Sequence, residues 1–419
     1  MNKTIIVREA YDWITENDVT AEQFDELIRY IEEKYPNEQV IDQKYKRMRF
    51  INYVGVIQCS DVRYEIIPKI KLSPIDDRKA LLGMLSITGF LPVSFYEEVL
   101  NGEDRGELLT AFLATFLTRL LNELRKGTYK TYERHEENLN TLRGKLELSK
   151  HVYKNVFQKT KAYCAFDEYT ENNSLNQLFK CALLIVKKHT KIHTLKLYLE
   201  RCLGYLEPVD VVYFTEKELK SITFNRQNER FRQAALFAKL IVERATIYSK
   251  GRGASSFSFL FQMNMLFEKY IEVALQEAIG DNKIISQHAE KRLLRNKKSG
   301  RQNILLKPDF VIDNRIIMDT KWKSATNNGR SSYVQSDIYQ MYAYVTAYKE
   351  VERCILLYPK QEVEAVHPVW EVIDTEKTIE MCTIRIDEFP DTVRELKGII
   401  TGDYVSLDTW NVHEECGNN

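Results

Sequence analysis

Residues 307–323 read KPDFVIDNRIIMDTKWK and hold two short apolar runs on either side of the polar dipeptide Asp313-Asn314. Together with their flanks, these runs predict two β-strands, at 303–312 and 315–322. Periodicity predicts further elements around them: a helix at 257–279, a strand at 283–287, a helix at 335–349 and a strand at 353–358. This order of elements predicts a compact α/β domain in which helices flank a mixed sheet.

The loop between the two central strands decides which side chains share a face. Asp319 and Lys321 are two residues apart, so a strand turns both to the same side. A two-residue loop would pair Asp309 with Met318 and place Asp319 on the opposite face. A three-residue loop over 313–315 would instead pair Asp309 with Asp319. We therefore predict an odd-length loop or a bulge at this position.

Asp309, Asp319 and Lys321 match the spacing of a PD-(D/E)xK nuclease motif. Phosphodiester hydrolysis needs a divalent cation, an activated water and stabilisation of the developing charge. Asp309 and Asp319 can hold one or two Mg²⁺ ions through oxygen ligands, and Lys321 can orient or help to deprotonate the attacking water. The alternative is a chance match on a solvated hairpin. Asp319 follows an apolar run, which predicts a buried position. Because burying a charge is costly, its presence there favours a catalytic site.

Three residues on the flanking helices could join this site. Glu268 lies at the edge of the apolar stripe of helix 257–279 and could supply a further catalytic acid, with an ordinary surface glutamate as the equal alternative. Gln340 and Tyr344 share one face of helix 335–349. They could contact the DNA backbone or brace Lys321, and the alternative is a tyrosine-rich packing helix.

Basic residues cluster before and after the motif. Those we predict to contact DNA phosphates, or to brace the site, are Arg295, Lys297, Lys298 and Lys323. Lys+Arg and Asp+Glu both total 60, so the chain has no net charge and any DNA contact must depend on such local clusters. The alternative for the run before the motif is a solvated hairpin.

The length of 419 residues predicts two or three domains. Gly251 and Gly253, followed by several serines, indicate the main boundary near 245–255. We predict an N-terminal region over 1–250, with strands near 49–70 and then mostly helices. A nuclease domain follows over 251–419, which makes the fold class α/β (α+β).

Composition and cysteine content indicate the cellular compartment. Hydrophobic residues make up 44% and charged residues 29%, which is usual for a soluble globular protein. The cysteines number seven and form no CxxC pair, so we expect reduced thiols and no structural zinc. We see neither a signal peptide nor an apolar run of membrane-spanning length. These features predict a cytoplasmic protein without a membrane partner.

The chain resembles the McrC family, the nuclease subunits of McrBC-type methylcytosine-dependent restriction systems. The N-terminal motifs that carry the resemblance are YVGVI (53–57), EIIPKI (65–70), LRGKLEL (142–148), FDEYT (166–170) and LNQLFKCAL (175–183). The C-terminal motifs are FLFQMNMLFEKYI (259–271), KPDFVI (307–312), IIMDTKWK (316–323), SDIYQMYAY (336–344) and LLYP (356–359).

The resemblance implies a two-part machine. Its partner would be a GTP-hydrolysing AAA+ subunit of the McrB type, on which the N-terminal region docks and whose GTPase it stimulates. The C-terminal domain would cut double-stranded, methylated DNA with Asp309, Asp319 and Lys321, and with Glu268 as a helix-borne acid. The sequence agrees with this division, because it contains no GxxxxGK[ST] phosphate loop of its own.

Two other functions remain open. One is a repair or recombination nuclease of the RecB-like branch, which the element Gln340-x-x-x-Tyr344 also resembles, although the N-terminal motifs speak against it. The other is a non-catalytic adaptor that only assembles a motor. An adaptor has no need to keep a carboxylate pair beside Lys321.

Overall fold

The computed structural model of the chain describes residues 3–59, 62–71, 77–90, 108–190, 192–244, 246–247, 255–327, 330–361 and 366–402. Gly251 and Gly253, at the predicted domain boundary, lie outside the described residues. The helices are α1 (Ala21–Lys34), α2 (Asp77–Ile87), α3 (Leu108–Arg125), α4 (Leu148–Lys154), α5 (Ser174–His189), α6 (His193–Tyr205), α7 (Glu216–Ser221), α8 (Arg232–Arg244), α9 (Met263–Ile279), α10 (Gln335–Ala347) and α11 (Phe389–Thr401).

The strands fall into several sheets. They are β1 (Lys3–Arg8), β2 (Ile14–Thr15), β3 (Ile41–Lys44), β4 (Arg47–Phe50), β5 (Tyr53–Gln58), β6 (Val62–Ile67), β7 (Thr131–Leu139), β8 (Lys145–Leu146), β9 (Ala162–Thr170), β10 (Thr246–Ile247), β11 (Ser255–Gln262), β12 (Ile284–Ser286), β13 (Arg292–Arg295), β14 (Gln302–Leu305), β15 (Phe310–Ile312), β16 (Ile316–Thr320), β17 (Thr326–Asn327), β18 (Arg330–Ser331), β19 (Arg353–Pro359), β20 (Val369–Glu371) and β21 (Thr378–Ile384). The predicted α/β class, with mixed sheets flanked by helices, is confirmed.

A six-stranded mixed sheet carries the motif, in the order β12-β15-β16-β19-β21-β20. β15 and β16 are antiparallel, whereas β16, β19 and β21 run parallel. The parallel pairing of β16 with β19 requires a crossover, and helix α10 lies on that connection. Met341 and Val345 of α10 pack into the buried core on this sheet, with Val311, Ile317 and Leu356.

The register of the central hairpin agrees with the predicted loop. Phe310 pairs with Met318 and Ile312 pairs with Ile316, which leaves a three-residue loop over 313–315. Asp313 and Asn314 adopt φ values of +47° and +58°, a conformation that these residue types tolerate better than most. The predicted odd-length loop is therefore confirmed.

Contacts divide the chain into two compact units that are not continuous in sequence. One comprises Ile57–Val62 and Leu109–Phe259, and the other comprises Asn2–Val56, Arg63–Leu108 and Leu260–Asn419. The predicted regions 1–250 and 251–419 therefore differ from the compact units, because the N-terminal strands group with the elements that carry Asp309 and Asp319. Periodicity could not show this grouping, since it depends on long-range contacts such as the hydrogen bond from Met263 N–H to Asn52 O, at 2.9 Å.

Two predicted elements need correction. The helix expected at 257–279 begins only at Met263, because Ser255–Gln262 forms strand β11. Short apolar runs are ambiguous between helix and strand, and the alternating aromatic residues before Met263 suit a strand. The region after residue 70 also contains strands besides its helices. A nine-residue ladder pairs β7 with β9 there, from Thr131↔Thr170 to Leu139↔Ala162.

Among the helices that the structure describes, none combines the length and apolar character needed to cross a bilayer. The cysteines within the described residues are free.

Gly144 is a position where any other residue should destabilise the fold. It has φ +67°, and an added Cβ would lie 2.5 Å from Ala165 O and 2.7 Å from Phe166 Cβ. We expect Gly144→Ala to lower the free energy of unfolding by roughly 2–4 kcal/mol, through backbone strain and overpacking. Urea unfolding measures this change.

The matched control is Gly204→Ala in α6, where nothing lies within 4 Å of the added Cβ. An exposed helical Gly→Ala change should be neutral or stabilising by up to about 1 kcal/mol. Equal stability of the two variants would contradict the close approach at Gly144.

Candidate nuclease site

The two aspartates lie on neighbouring strands and face the same side of the sheet. Asp309 directly precedes β15, and extending the observed register sets it opposite Asp319 of β16. The N–H and the hydroxyl of Thr320 both donate to Asp309 Oδ2, at 2.8 and 2.7 Å. These bonds fix one oxygen of Asp309, and no hydrogen bond within the described part of the chain occupies its Oδ1.

Asp319 is a buried carboxylate held between Lys321 and Gln340. Only 2% of Asp319 is exposed. Its Oδ2 forms an ion pair with Lys321 Nζ but accepts no regular hydrogen bond from the described residues. Burial raises the pKa of Asp319 to about 7, the charge of Asp309 acts in the same direction, and the Lys321 ammonium opposes both. A buried acid with these neighbours is typical of a functional site.

Helix α10 supplies a chain of hydrogen bonds that orients Lys321. Lys321 Nζ donates to Gln340 Oε1 at 2.9 Å. Gln340 Nε2 donates to Tyr344 Oη at 2.8 Å and lies 3.2 Å from Asp319 Oδ1. Gln340 and Tyr344 lie one turn apart, so both reach the same place. Of the two roles predicted for them, the geometry favours bracing of Lys321.

Glu268 of α9 lies on the Asp309 side of the site. Its Oε1 accepts a hydrogen bond from the side-chain amide of Gln287. Burial raises the pKa of the Glu268 carboxyl, and the charge of Asp309 raises it further. Gln287 adopts φ +53°, and its N–H donates to Asp309 O at 2.8 Å. Gln287 therefore links the Glu268 side chain to the backbone of Asp309.

The predicted basic residues divide into two groups. Lys323 Nζ forms an ion pair with the buried Asp337, at 2.9 and 3.0 Å from its two carboxylate oxygens. Arg295 lies in the exposed β13–β14 hairpin, and Lys297 and Lys298 lie in its exposed turn. The structure records no contact between this hairpin turn and the carboxylates, so a role for it in DNA contact stays a prediction.

The sequence reading missed Asp337, Gln287 and Thr320. Asp337 is four residues before Met341 in the apolar pattern of α10, and a buried acid one turn from Gln340 was a usable signal. Gln287 left no such signal, because its role depends on a backbone turn after β12. Thr320 stands between Asp319 and Lys321, and strand alternation alone does not predict that its hydroxyl donates to Asp309.

The donor set fits a divalent cation with an affinity for oxygen. Asp309 keeps one oxygen without a hydrogen bond from the described residues, and one oxygen of Asp319 contacts the Lys321 ammonium. Within that part of the chain, no group of three His, Cys, Asp or Glu side chains could hold a metal by itself. Two carboxylates with several waters are the usual protein contribution to a Mg²⁺ site.

The chain is similar to solved structures, and a protein-family model matches its sequence. One structure is a refined half-complex from a tetradecameric assembly of Thermococcus gammatolerans McrB AAA+ hexamers with bound McrC. The matched chain has 18% identity and a TM-score of 0.70, covering 95% of this chain and 100% of that chain. A second, of the Thermococcus gammatolerans McrBC complex, has 22% identity and a TM-score of 0.51, covering 67% of this chain and 89% of that chain.

No curated protein matches the sequence. The structural likenesses, at these identities, show the fold. The family model of the McrBC 5-methylcytosine restriction system component matches residues 48–359, which is most of the chain and includes Asp309, Asp319 and Lys321. The chain therefore belongs to the family of McrBC 5-methylcytosine restriction system components.

Proposed function

We propose that the chain is a Mg²⁺-dependent DNA endonuclease subunit that cuts when it is assembled with a GTP-hydrolysing AAA+ partner. The observation that carries this proposal is the convergence of Asp309, Asp319 and Lys321 on one face of the mixed sheet. Family membership supports a role in restriction of modified DNA. Such a role would be exercised in the cytoplasm.

Each side chain has a task in hydrolysis. Asp309 and Asp319 would hold Mg²⁺, which when bound polarises the phosphate and lowers the pKa of a coordinated water. Lys321 places a positive charge where negative charge develops and can orient the attacking water. Gln340 holds the Lys321 ammonium in place. Glu268 lies near Asp309 with a raised pKa, which suits a group that accepts or returns a proton.

The partner is inferred from the chain and its relatives together. The similar Thermococcus gammatolerans structure holds McrC bound to McrB AAA+ hexamers. The present sequence has no phosphate loop for a nucleotide. The unit formed by Ile57–Val62 and Leu109–Phe259 contains none of the candidate catalytic residues. We assign docking on the motor, and stimulation of its GTPase, to that unit.

Plasmid cleavage tests the proposal. The chain is incubated with methylated plasmid and Mg²⁺, with and without an AAA+ GTPase of the McrB type, and GTP is omitted or EDTA added in parallel. We expect cleavage only when chain, partner, GTP and Mg²⁺ are all present. Cleavage coupled to an ATP-driven helicase would instead support the RecB-like alternative. GTPase stimulation without cleavage under any condition would support the adaptor.

The exposed hairpin gives a prediction for DNA affinity. Replacing Arg295, Lys297 and Lys298 with Ala should weaken binding at low salt and reduce the slope of log affinity against log salt by about 2.7, since each phosphate contact contributes about 0.9. Fluorescence anisotropy with a DNA duplex measures both quantities. Replacing Lys217, Lys220 and Arg226, which are exposed in the other unit, removes equal charge and should leave the slope unchanged. The same slope for both triple variants would remove the hairpin from the DNA interface.

A further inference from the structure

Glu9 is a fully buried acid that the cutting chemistry does not use. It follows strand β1 and has 0% exposure. Its backbone is firmly placed. The Glu9 N–H donates to Ile67 O at 3.0 Å, and the N–H of Ala10, which has φ +61°, donates to Phe50 O at 2.7 Å. A carboxylate in such a place is costly, and a buried residue needing only to fill space would be apolar.

The side chain of Glu9 accepts a hydrogen bond from Trp322. Trp322 Nε1 donates to Glu9 Oε1 at 2.6 Å, and the backbone N–H of Lys69 donates to the same oxygen at 3.3 Å. Glu9 Oε2 has no regular hydrogen-bond partner within the described residues. The Lys69 ammonium lowers the pKa of Glu9, against the larger effect of burial, which raises it. Of the two hydrogen bonds to Glu9 Oε1, the one from the indole N–H is the shorter.

Trp322 follows one candidate catalytic residue in sequence, and its ring contacts the neighbour of another. It directly follows Lys321 in the chain, and its ring packs against Phe267, the residue before Glu268, with centroids 5.6 Å apart. Trp322 is only 2% exposed. A movement of this ring would therefore displace both the backbone next to Lys321 and helix α9.

The sheet itself holds Lys321 weakly. Strand β16 ends at Thr320, so Lys321 lies just beyond it and keeps one cross-strand bond, from its N–H to Leu357 O at 2.9 Å. The next ladder bond is replaced by a tight turn, in which the Lys323 N–H donates to Lys321 O at 2.9 Å. Side-chain anchors beyond the strand must fix this turn, and the bond from Trp322 to Glu9 is one of them.

We propose that Glu9 is a positioning residue for Lys321, acting through the indole N–H of Trp322. The N-terminal strand thereby belongs to the cutting machinery as well as to the fold. As far as DNA cleavage is concerned, this inference rests on the proposed function. Its placement of Lys321 can be measured without any cleavage.

Cleavage by the complete chain with its partner gives the first test. Glu9→Leu removes the acceptor at nearly constant volume, and Trp322→Phe removes the N–H but keeps a ring. Each should lower the single-turnover cleavage rate at saturating DNA at least tenfold, with little change in the DNA concentration for half-maximal rate. The double variant should be no slower than the slower single variant. Glu9→Gln keeps an acceptor oxygen and should recover most of the rate.

Chemical labelling of Lys321 gives the second test, on the chain alone. Brief acetylation followed by peptide mass spectrometry should show Lys321 reacting at least threefold faster in Glu9→Leu and in Trp322→Phe than in the unmodified chain, and near the normal rate in Glu9→Gln. Lys187, in the other unit, should not change. Glu380→Leu breaks a buried pair with Arg353 in the same unit and controls for loss of stability alone. It should leave Lys321 labelling unchanged.

The outcomes separate the two proposals. If the unmodified chain does not cut but Lys321 labelling follows the expected pattern, the endonuclease function is wrong and the positioning role stands. Two results would make the positioning role wrong in a chain that cuts. In one, the rate loss of the double variant equals the product of the losses in the Glu9 and Trp322 single variants. In the other, Lys321 labelling is the same in all variants; in both cases the endonuclease function is unaffected. Equal labelling changes in Glu380→Leu would also overturn the positioning role.

Discussion

Asp319→Asn should reduce DNA cleavage at least a thousandfold and, in the same protein, increase the stability of the metal-free chain. The first effect follows because Asp319 would help to hold the proposed Mg²⁺, which would activate the water and polarise the phosphate. A loss of roughly a thousandfold corresponds to about 4 kcal/mol of barrier. The second follows from burial, because Asn keeps the shape of Asp319 but carries no charge beside Asp309.

The stability gain of Asp319→Asn should depend on pH in a defined direction. The pKa of Asp319 is raised from its ordinary value of 3.8 to about 7 in the folded chain. As pH rises between these values, the unfolded chain loses a proton that the folded chain keeps, so stability contributed by the protonated form is lost. Asn cannot ionise. Its advantage should therefore grow from pH 4 to pH 7 and level off above pH 7.

Urea unfolding at pH 5 and pH 8, with EDTA or with Mg²⁺, measures this pattern. Mg²⁺ should stabilise the unmodified chain more than Asp319→Asn, because a ligand that binds only the folded state raises stability by mass action. Asp313→Asn, in the exposed loop of the same hairpin, is the matched control and should show neither effect. An Asp319→Asn variant that is less stable than the unmodified chain at pH 8 without metal would contradict the buried-charge account.

Lys321→Gln should lower cleavage by about a hundredfold to a thousandfold, while Mg²⁺ still stabilises the folded chain. Removing one group that stabilises developing charge typically costs about 2.7–4 kcal/mol of barrier. The two carboxylates remain, so metal binding should persist. Single-turnover cleavage with the partner and GTP gives the rate, and the Mg²⁺-dependent shift in melting temperature gives the metal binding.

Lys323→Gln separates the role of Lys321 from loss of positive charge in general. Lys323 is two residues further along and pairs with Asp337. Its loss should reduce cleavage less than tenfold. If both lysine variants lose activity equally, the charge of the segment matters and the placement of Lys321 against Asp319 does not. If Lys321→Gln also abolishes the Mg²⁺ effect, Lys321 acts by supporting the metal site.

The local part of the site was accessible from sequence. Strand alternation put Asp319 and Lys321 on one face, and the requirement that Asp309 join them predicted the three-residue loop. Helical spacing put Gln340 beside Tyr344. These inferences hold because each depends on a few neighbouring residues whose geometry is fixed by a single secondary structure. Their catalytic roles stay predictions.

The long-range part of the site was not accessible. The bond from Trp322 to Glu9 joins residues 313 positions apart, and periodicity does not pair segments at that distance. The same limit explains why the N-terminal strands were assigned away from the nuclease elements. Strand β11 was misread for a different reason, since a short aromatic run next to a helix carries signals for both structures.

In the proposed function, this chain contains the cutting centre, and stimulation of the partner's GTPase depends on another part of the molecule. The most direct measurement follows plasmid linearisation and GTP hydrolysis in one sample, for the unmodified chain and for Asp309→Ala, with the AAA+ partner, GTP and Mg²⁺. We expect Asp309→Ala to stop linearisation and to leave the stimulated GTPase rate within about twofold. Linearisation by Asp309→Ala at the unmodified rate would contradict the proposed function, as would loss of GTPase stimulation with cleavage preserved.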